Sequence, residues 1–233
     1  FAMGGAAIAH NGNITNADDL RRELIERGSI FQSSSDSECI IHLMARSLQR
    51  NIPERMEDAL RRVEGAFSVV AMTRTKLIGV RDPLGVRPLV LGKIGDGWAL
   101  SSETCALDII GAEFVREIKP GEMVVIQNSG VESHFPFKPQ NSRFCIFEHV
   151  YFSRPDSIIG GHSVYETRRQ IGVELAKESP VAADLVCPVP DSGTPAAIGF
   201  SQESGIPYAM GIIRNQYMGR TFIEPTEQIR NMG

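Results

Sequence analysis

The chain has 233 residues, of which 42% are hydrophobic and 22% charged, and its formal net charge is −4. This composition is ordinary for a globular protein and excludes a largely disordered chain. The negative charge argues against a general nucleic-acid-binding protein, which needs a basic face, and no apolar run approaches the roughly 20 residues of a membrane-spanning helix. The four cysteines are widely spaced without a CxxC pair, which favours reduced thiols in a cytoplasmic protein over a disulfide framework.

The first part of the chain, to about residue 133, combines helices with many short strands. Residues 6–9 predict a short buried strand that leads into a turn at 10–13. Helices are expected from Asn16 or Asp18 to about Arg27, from a capping box formed by Ser35 and Glu38, and from Pro53 to Val63. Strands are expected at residues 67–72, 77–80, 89–91, 98–101, 114–118 and 123–126. This order predicts stacked layers of helix and sheet.

The pattern changes after residues 136–142, which have the composition of a linker. Helices are then expected at 164–178 and 195–204, and buried strands at 185–189 and 208–213. The apolar side of the first helix is predicted to consist of Val164, Ile171, Leu175 and Ala176. Strands that alternate with helices predict a parallel sheet in an α/β domain. The sequence therefore predicts two domains, at residues 1–142 and 143–233.

Two segments of the first domain carry residue types suited to chemistry. The pair Asn11–Gly12 is equally compatible with a plain hairpin turn and with an oxyanion hole, in which the Asn11 side-chain amide and the Gly12 N–H donate to a developing negative oxygen. Asp36 stands in the first turn of a predicted helix. Its carboxylate either stabilises the helix N-terminus or binds a substrate ammonium group.

The second domain has two candidate anion-binding loops. Residues 189–195 connect a predicted strand to a predicted helix, the place where α/β domains bind anions, although an ordinary turn is the alternative. Arg214 and Arg220 flank a glycine in a polar loop, which suits phosphate contacts or a solvated loop. The surroundings of Cys39, Cys105 and Cys187 predict core positions.

Seven segments, in order along the chain, resemble the amidophosphoribosyltransferase family, the glutamine phosphoribosyl-diphosphate amidotransferases of purine synthesis. They are Ala9–Asn13, Ser35–Glu38, Arg81–Leu89, Ser101–Thr104, Phe147–Ser157, Pro188–Ser192 and Arg214–Ile223. The first two fit any class II glutamine amidotransferase. The last three are specific to the phosphoribosyl enzyme.

The resemblance implies an α+β class II glutaminase domain of the N-terminal-nucleophile type, with αββα layers, followed by an α/β type I phosphoribosyltransferase domain. It implies the first committed step of de novo purine biosynthesis: glutamine is hydrolysed and its ammonia passes to 5-phosphoribosyl 1-diphosphate, giving 5-phosphoribosylamine, glutamate and diphosphate. The family's nucleophile is a cysteine at the mature N-terminus. Phe1 is not a cysteine, and the acidic phosphoribosyl-diphosphate loop that the family carries after the flexible loop is also absent, so we expect the chain to lack segments at both ends and to be inactive alone.

The resemblance also assigns roles to the candidate residues of the first domain. Asn11 and Gly12 match the oxyanion-hole pair of the family, and Asp36 matches the carboxylate that holds the glutamine amino group. Cys145 falls where some members place the first of four ligands to a [4Fe–4S] cluster.

In the second domain, Ser192 matches a residue at the Mg²⁺-bound phosphoribosyl diphosphate. Arg214, Tyr217 and Arg220 match the start of a flexible loop that closes over that substrate. Purine nucleotides are implied as feedback inhibitors, and a homo-oligomer as the assembled state. Two alternatives remain open, namely another class II amidotransferase, such as a glucosamine-phosphate or asparagine synthetase, and a catalytically inactive homologue that acts as a binding or regulatory subunit.

Overall fold

The computed structural model describes residues 5–215, 217 and 227, which form two compact units. The first comprises the residues up to 148 together with 158–160, and the second comprises 149–157 and the residues from 161 onward. The division lies a few residues beyond the predicted boundary at 142, because the intervening segment packs on the first unit. The Arg143 amide donates to the Leu84 carbonyl, and the Cys145 amide donates to the Val86 carbonyl.

The first unit consists of two antiparallel sheets and four helices. Its strands are β1 (Ala6–Ile14), β2 (Gly65–Thr73), β3 (Leu77–Arg81), β4 (Val90–Ile94), β5 (Gly97–Ser101), β6 (Glu113–Glu117), β7 (Met123–Gln127), β8 (Gly130–His134) and the short β9 (Ile158–Ile159). Its helices are α1 (Ala17–Glu26), α2 (Ser37–Arg46), α3 (Ile52–Leu60) and α4 (Thr104–Ile109). The five-stranded sheet has the order β1-β2-β3-β7-β8, and the three-stranded sheet the order β5-β4-β6.

Alternation along the strands builds four layers, helix on sheet on sheet on helix. On β7, Met123 and Val125 face a core shared with α1, α2 and α3, whereas Val124 and Ile126 face a second core. That second core lies between the two sheets and includes Leu91 of β4. On the far side, a third cluster joins β4 to α4. The predicted helix and sheet layers are therefore confirmed, with α4 as an element that the sequence interpretation missed.

Helix α2 begins differently from the prediction. It starts at Ser37 with Asp36 as its N-cap, and the predicted capping box between Ser35 and Glu38 is wrong. The Glu38 carboxylate instead accepts hydrogen bonds from the Ser33 hydroxyl and from the amides of Ser33 and Gln32. These bonds, chiefly the one from the Ser33 hydroxyl, lower the pKa of Glu38 to about 2. Glu38 thus binds the loop that precedes the helix through Gln32 and Ser33, and not through Ser35 as predicted.

The predicted turn at residues 10–13 is also wrong. Strand β1 runs without interruption from Ala6 to Ile14, and every residue of it pairs with β2 in one antiparallel register. Asn11 lies opposite Ser68, and Gly12 opposite Phe67. The Asn-Gly pair therefore lies inside a strand, because the long partner β2 supplies pairing along the whole segment.

The second unit contains a π-helix at Glu148–Phe152, which begins on the last residue of the first unit, the two-residue strand β10 (His162–Ser163), and helices α5 (Val164–Glu178) and α6 (Thr194–Ser204). The bounds of α5 agree with the prediction, but its buried face does not. The buried residues of α5 are Val164, Arg168, Gly172, Val173 and Ala176. Ile171 and Leu175 are 43% and 51% exposed. The predicted apolar side is wrong at these two positions because α5 packs through a glycine.

The two predicted parallel strands of this unit are reduced, in the described residues, to a single parallel bridge between Val186 and Tyr208. Leu185 and Val189 are 49% and 70% exposed, so the prediction of buried strands is wrong here. A parallel strand is buried by neighbouring strands and by helices over both faces, and one bridge does not supply this cover. Cys187 is exposed for the same reason, which corrects its predicted core position, whereas Cys39 and Cys105 are buried as predicted.

Candidate functional site

The exposed edge of β1 is where the predicted residues of the first unit meet. This strand is the first of the five-stranded sheet, so one side of its backbone pairs with β2 and the other faces away from the sheet. Phe67 lies opposite Gly12 on β2, and its carbonyl accepts the Asp82 amide on the side of β2 away from β1. Gly12 and Phe67 are therefore a non-hydrogen-bonded pair of the β1–β2 ladder. Hydrogen-bonded and non-hydrogen-bonded pairs alternate in an antiparallel ladder, and the Gly12 N–H therefore points to the outer edge.

Only glycine fits at position 12. Its φ is +152°, and a Cβ there would lie 2.0 Å from the Ala66 carbonyl oxygen and 2.8 Å from His10 Nε2. A side chain would clash with backbone that cannot move without breaking the pairing of β1 with β2. The close approach leaves the Gly12 amide exposed at the strand edge.

The side chain of Asn11 projects from β1 toward the three-stranded sheet. Its Nδ2 donates a hydrogen bond of 3.0 Å to the hydroxyl of Ser102, the residue that follows β5. An amide nitrogen carries two hydrogens, so one remains to donate elsewhere. Asn11 is half-buried, and its amide and the Gly12 N–H are consecutive donors on the strand.

Asp36 lies against the same edge of β1. Its Oδ2 accepts the Ile14 N–H at 3.0 Å, and Ile14 is two residues beyond Gly12, so both amides point to the same side. Oδ1 accepts a 3.3 Å hydrogen bond from the Ser37 hydroxyl and lies 3.6 Å from His10 Nδ1. Partial burial opposes ionisation, but the Ile14 amide, His10 and Ser37 outweigh it and hold the pKa of Asp36 below its ordinary value of 3.8.

Histidine 10 is a site residue that the sequence interpretation did not single out. Its side chain is only 3% exposed and lies on the helix face of β1, opposite in direction to Asn11. Nε2 lies 3.4 Å from the Ala66 carbonyl, and Nδ1 lies 3.3 Å from the Ser37 hydroxyl. His10 thus links β1 to the start of α2, where Asp36 lies. Its place in the segment Ala9–Asn13 was the available signal.

The family-like segment Arg81–Leu89 forms a buried loop rather than a binding surface. The Arg81 guanidinium donates to the carbonyls of Arg87, Ile118 and Gly85 at 2.8–3.0 Å. The fully buried Asp82 carboxylate accepts the amides of Leu84, Val86 and Phe67. Burial raises the pKa of Asp82 and lowers that of Arg81. The loop therefore fixes the end of β3 against β2, the partner of β1.

Two candidate residues of the second unit, Ser192 and Arg214, lie at the loop before α6. Ser192 is half-buried, and α6 begins two residues later with Gly193 as its N-cap, so the helix starts at Thr194, one residue before the predicted start at 195. Arg214 Nη1 lies 2.8 Å from the Asp191 carboxylate, which brings the arginine beside this loop. Tyr217 is 98% exposed. Arg220 lies outside the described residues.

Cys145 is the candidate iron–sulfur ligand of the chain. Cys145 is half-buried, and its amide donates to the Val86 carbonyl. Among residues 5–215, 217 and 227, no three His, Cys, Asp or Glu side chains come together as a metal site. In the same part of the chain, no helix has the length and apolar character needed to cross a membrane.

Comparisons with known proteins show what the chain is similar to. A sequence profile described as a glutamine amidotransferase domain matches residues 2–108, which include Asn11, Gly12 and Asp36. Amidophosphoribosyltransferases from Rhizobium etli and Bacillus subtilis are 57% and 45% identical to the chain over 99% of its residues, which is 47% and 48% of theirs. The chloroplastic amidophosphoribosyltransferase 1 of Arabidopsis thaliana is 49% identical over the whole chain and 41% of its own length.

A solved structure shares the fold. The glutamine phosphoribosylpyrophosphate amidotransferase of B. subtilis, complexed with ADP and GMP, superimposes with a TM-score of 0.88 at 45% identity, covering 99% of this chain and 50% of that one. The chain thus spans about half the length of the relatives that it matches. The similarity to amidophosphoribosyltransferases extends over both units of the chain, which disfavours a glucosamine-phosphate or asparagine synthetase. Along both units the chain is therefore similar to amidophosphoribosyltransferases, and its residues 2–108 match a glutamine amidotransferase domain.

Proposed function

We propose that this chain is part of an amidophosphoribosyltransferase that hydrolyses glutamine and transfers the ammonia to 5-phosphoribosyl 1-diphosphate. The products are 5-phosphoribosylamine, glutamate and diphosphate, the first committed step of purine biosynthesis. The observation that carries the proposal is the edge of β1, where the donors of Asn11 and Gly12 and the carboxylate of Asp36 lie along one strand. Relatives at 45–57% identity bear the name of this activity.

The donors suit the breaking of a carboxamide bond. When a nucleophile attacks the side-chain carbonyl of glutamine, its oxygen becomes negative, and the C–N bond then breaks to release ammonia. The Gly12 N–H and the free hydrogen of the Asn11 amide would stabilise that oxygen, each by roughly 3 kcal/mol in the transition state. The family resemblance implies an N-terminal cysteine as nucleophile with its own α-amine as base. None of the four cysteines here is the first residue.

Asp36 would hold the α-ammonium group of glutamine. Its depressed pKa keeps it ionised at neutral pH, and its side chain is 29% exposed. A charge-assisted hydrogen bond between carboxylate and ammonium is about twice as strong as a neutral one. Asp36 would thereby select an amino acid over a simple amide.

The acceptor would bind in the second unit, for which we propose a type I phosphoribosyltransferase fold over residues 143–233. The amides at the start of α6 and the Ser192 hydroxyl suit a phosphorylated ligand. Arg214 is held by Asp191 through an exposed ion pair, a weak interaction that a diphosphate can replace. Tyr217 and Arg220 would join it there. Magnesium would bind with the diphosphate, where it would neutralise the leaving group, and Ser192 would lie nearest to it.

Cys145 would supply one of the four ligands of a [4Fe–4S] cluster. Such a cluster needs four thiolates or their equivalents, and the part of the chain that the structure describes gives no group of three ligands. No step of the reaction is routed through a cluster. We further propose, on the family resemblance, a cytoplasmic homo-oligomer with purine nucleotides as feedback inhibitors. The ADP and GMP complex of the B. subtilis relative supports the last point.

The test uses the full-length protein that contains this chain. We expect glutamate and diphosphate to be released in equal amounts when glutamine and phosphoribosyl diphosphate are supplied, and ammonia to replace glutamine. Asn11→Ala should lower glutamine hydrolysis about 100-fold and leave the ammonia-dependent reaction unchanged. Absence of glutamine hydrolysis in the wild type, with ammonia-dependent synthesis intact, would instead identify a homologue that has lost its glutaminase.

A further inference from the structure

Within the described part of the chain, Ser102 is the one side chain that hydrogen-bonds the Asn11 amide. The two residues are 91 positions apart in sequence, and their hydrogen bond of 3.0 Å links β1 to the end of β5. Ser102 belongs to the segment Ser101–Thr104, which the sequence interpretation matched to the family without giving any residue a role. The Ser102 hydroxyl is therefore placed to control the orientation of the Asn11 amide.

An unsupported asparagine amide is a poor oxyanion donor. The torsion about its Cβ–Cγ bond is broad, so the side chain can turn its carbonyl oxygen toward the position of its nitrogen. That orientation would place an acceptor beside a developing negative charge and repel it. Donors are effective in catalysis when their orientation is fixed before the charge develops. Ser102 accepts one of the two Nδ2 hydrogens, which fixes the torsion and leaves the other hydrogen free.

Ser102 is itself held on both sides. Ser101, before it, is the last residue of β5 and pairs with Val90 of β4, and its hydroxyl accepts the Glu103 amide at 3.3 Å. Thr104, two residues after it, opens α4 and is buried, and its hydroxyl accepts the Ile158 amide at 2.9 Å. The hydroxyl that meets Asn11 therefore comes from a backbone pinned to the second sheet and to the first turn of α4.

We propose that Ser102 is a positioning residue for glutamine hydrolysis. It holds the Asn11 amide so that the second Nδ2 hydrogen donates to the oxyanion formed on the glutamine side chain. Ser102 forms no bond to the substrate and takes no proton in the reaction. The inference rests on the proposed function, since it concerns the step in which the amide carbonyl becomes an oxyanion.

The matched variants Ser102→Thr and Ser102→Val test this in the full-length enzyme. They have nearly the same shape and differ by a hydroxyl against a methyl group. We expect the threonine variant to keep the kcat of glutamine hydrolysis within about twofold of wild type, and the valine variant to lose about tenfold. The loss is smaller than the roughly 100-fold expected when an oxyanion donor is deleted, because the Asn11 amide remains present.

The loss should fall on kcat, with the KM for glutamine within about twofold, because the oxyanion exists only after attack. Ammonia-dependent synthesis, which does not need glutamine hydrolysis, is the internal reference for a folded enzyme, and the glutamine-dependent rate is compared with it. If the valine side chain disturbs the fold, Ser102→Ala removes the hydroxyl without adding bulk and takes its place. Equal kcat values for variants with and without the hydroxyl would overturn the inference.

A double-mutant cycle separates this inference from the proposed function. In the Asn11→Ala background, Ser102→Val should cause no further loss of kcat, because the amide that it positions is gone. Losses that multiply would mean that Ser102 acts independently of Asn11, and would overturn the inference alone. If Asn11→Ala itself left glutamine hydrolysis intact, the oxyanion assignment in the proposed function would fail, and this inference with it.

Discussion

The charge of Asp36 depends on three neighbours from two elements. The Ile14 amide comes from the edge of β1, the Ser37 hydroxyl from the first residue of α2, and His10 from the buried face of β1. None of these contacts is a full salt bridge with a lysine or arginine. The carboxylate therefore stays partly exposed and keeps its negative charge, which is what a binding site for an ammonium group requires.

Replacing Asp36 with asparagine should weaken glutamine binding specifically. Loss of the charge-assisted bond to the α-ammonium group is expected to cost about 2 kcal/mol, or roughly a 30-fold higher KM for glutamine. Synthesis from ammonia should be unaffected in the full-length enzyme. Asp19→Asn, at an exposed position of α1, is the matched control and should change neither activity. Equal damage to the glutamine- and ammonia-dependent reactions by Asp36→Asn would contradict the role of Asp36.

The same carboxylate makes the stability of the chain depend on pH. A carboxyl group whose pKa is lowered by folding contributes stability that is complete above the unfolded pKa and is lost as the pH falls through the folded pKa. The folded pKa of Asp36 lies below 3.8, so wild type should be more stable than Asp36→Asn at pH 7. The difference should shrink as the pH falls below about 4. Urea denaturation of both proteins at pH 7 and pH 3 measures it, and a gap of equal size at both would exclude the ionised carboxylate as its source.

Sequence patterns identified Asn11, Gly12 and Asp36 as candidate residues, but not the residues that hold them. The alternation of side chains along β1 places His10 and Asn11 on opposite faces, which requires knowing that the segment is a strand and not a turn. Ser102 reaches Asn11 only because two sheets pack face to face. Contacts of this kind follow from the packing of layers, and no local spacing in the sequence records them.

Helices α5 and α6 pack backbone against backbone. A Cβ at Gly172 would lie 1.9 Å from the Ala196 carbonyl oxygen, and a Cβ at Gly199 would lie 1.9 Å from the Arg169 carbonyl oxygen. Each glycine therefore fits into the other helix where no side chain is tolerated. This explains why the apolar pattern of α5 failed to predict its buried face: the contact is made by small residues, and the larger Ile171 and Leu175 remain exposed.

Alanine at either glycine should destabilise the second unit. Overpacking a close contact costs about 1–3 kcal/mol, and here the clash is with backbone, so we expect the upper part of that range for Gly172→Ala and for Gly199→Ala. Glu203→Ala, at an exposed position of α6, is the control and should have little effect. Thermal unfolding of the full-length protein provides the measurement. Midpoints for the glycine variants that match the control would mean that the two helices separate at little cost.

Elements with a strong period were predictable, and those that depend on partners were not. The bounds of α5 follow from its pattern, and the Ser163 hydroxyl caps it by accepting the Glu166 amide. The Asn-Gly pair of β1 is a turn signal in isolation, and only nine residues of pairing with β2 override it. Helix α4 is six residues long, too short for a period to be recognised.

Across the whole molecule, the candidate residues divide between the two units. Asn11, Gly12 and Asp36 belong to the first, and Ser192 and Arg214 to the second. In the proposed reaction, each glutamine hydrolysed in the first unit yields one ammonia for the acceptor bound in the second. A defect in acceptor binding should therefore appear as ammonia that is released and not transferred, which separates the two sites in a single assay.

Arg214→Ala is expected to uncouple the two activities of the full-length enzyme. The arginine lies beside the loop of Ser192 in a weak ion pair with Asp191, and it would gain stronger contacts with a diphosphate. We expect the ratio of phosphoribosylamine formed to glutamate released to fall several-fold, because acceptor binding weakens while glutamine hydrolysis continues. Lys177→Ala, which removes an exposed cation from α5, should leave the ratio unchanged. A wild-type ratio in Arg214→Ala would remove this residue from the acceptor site.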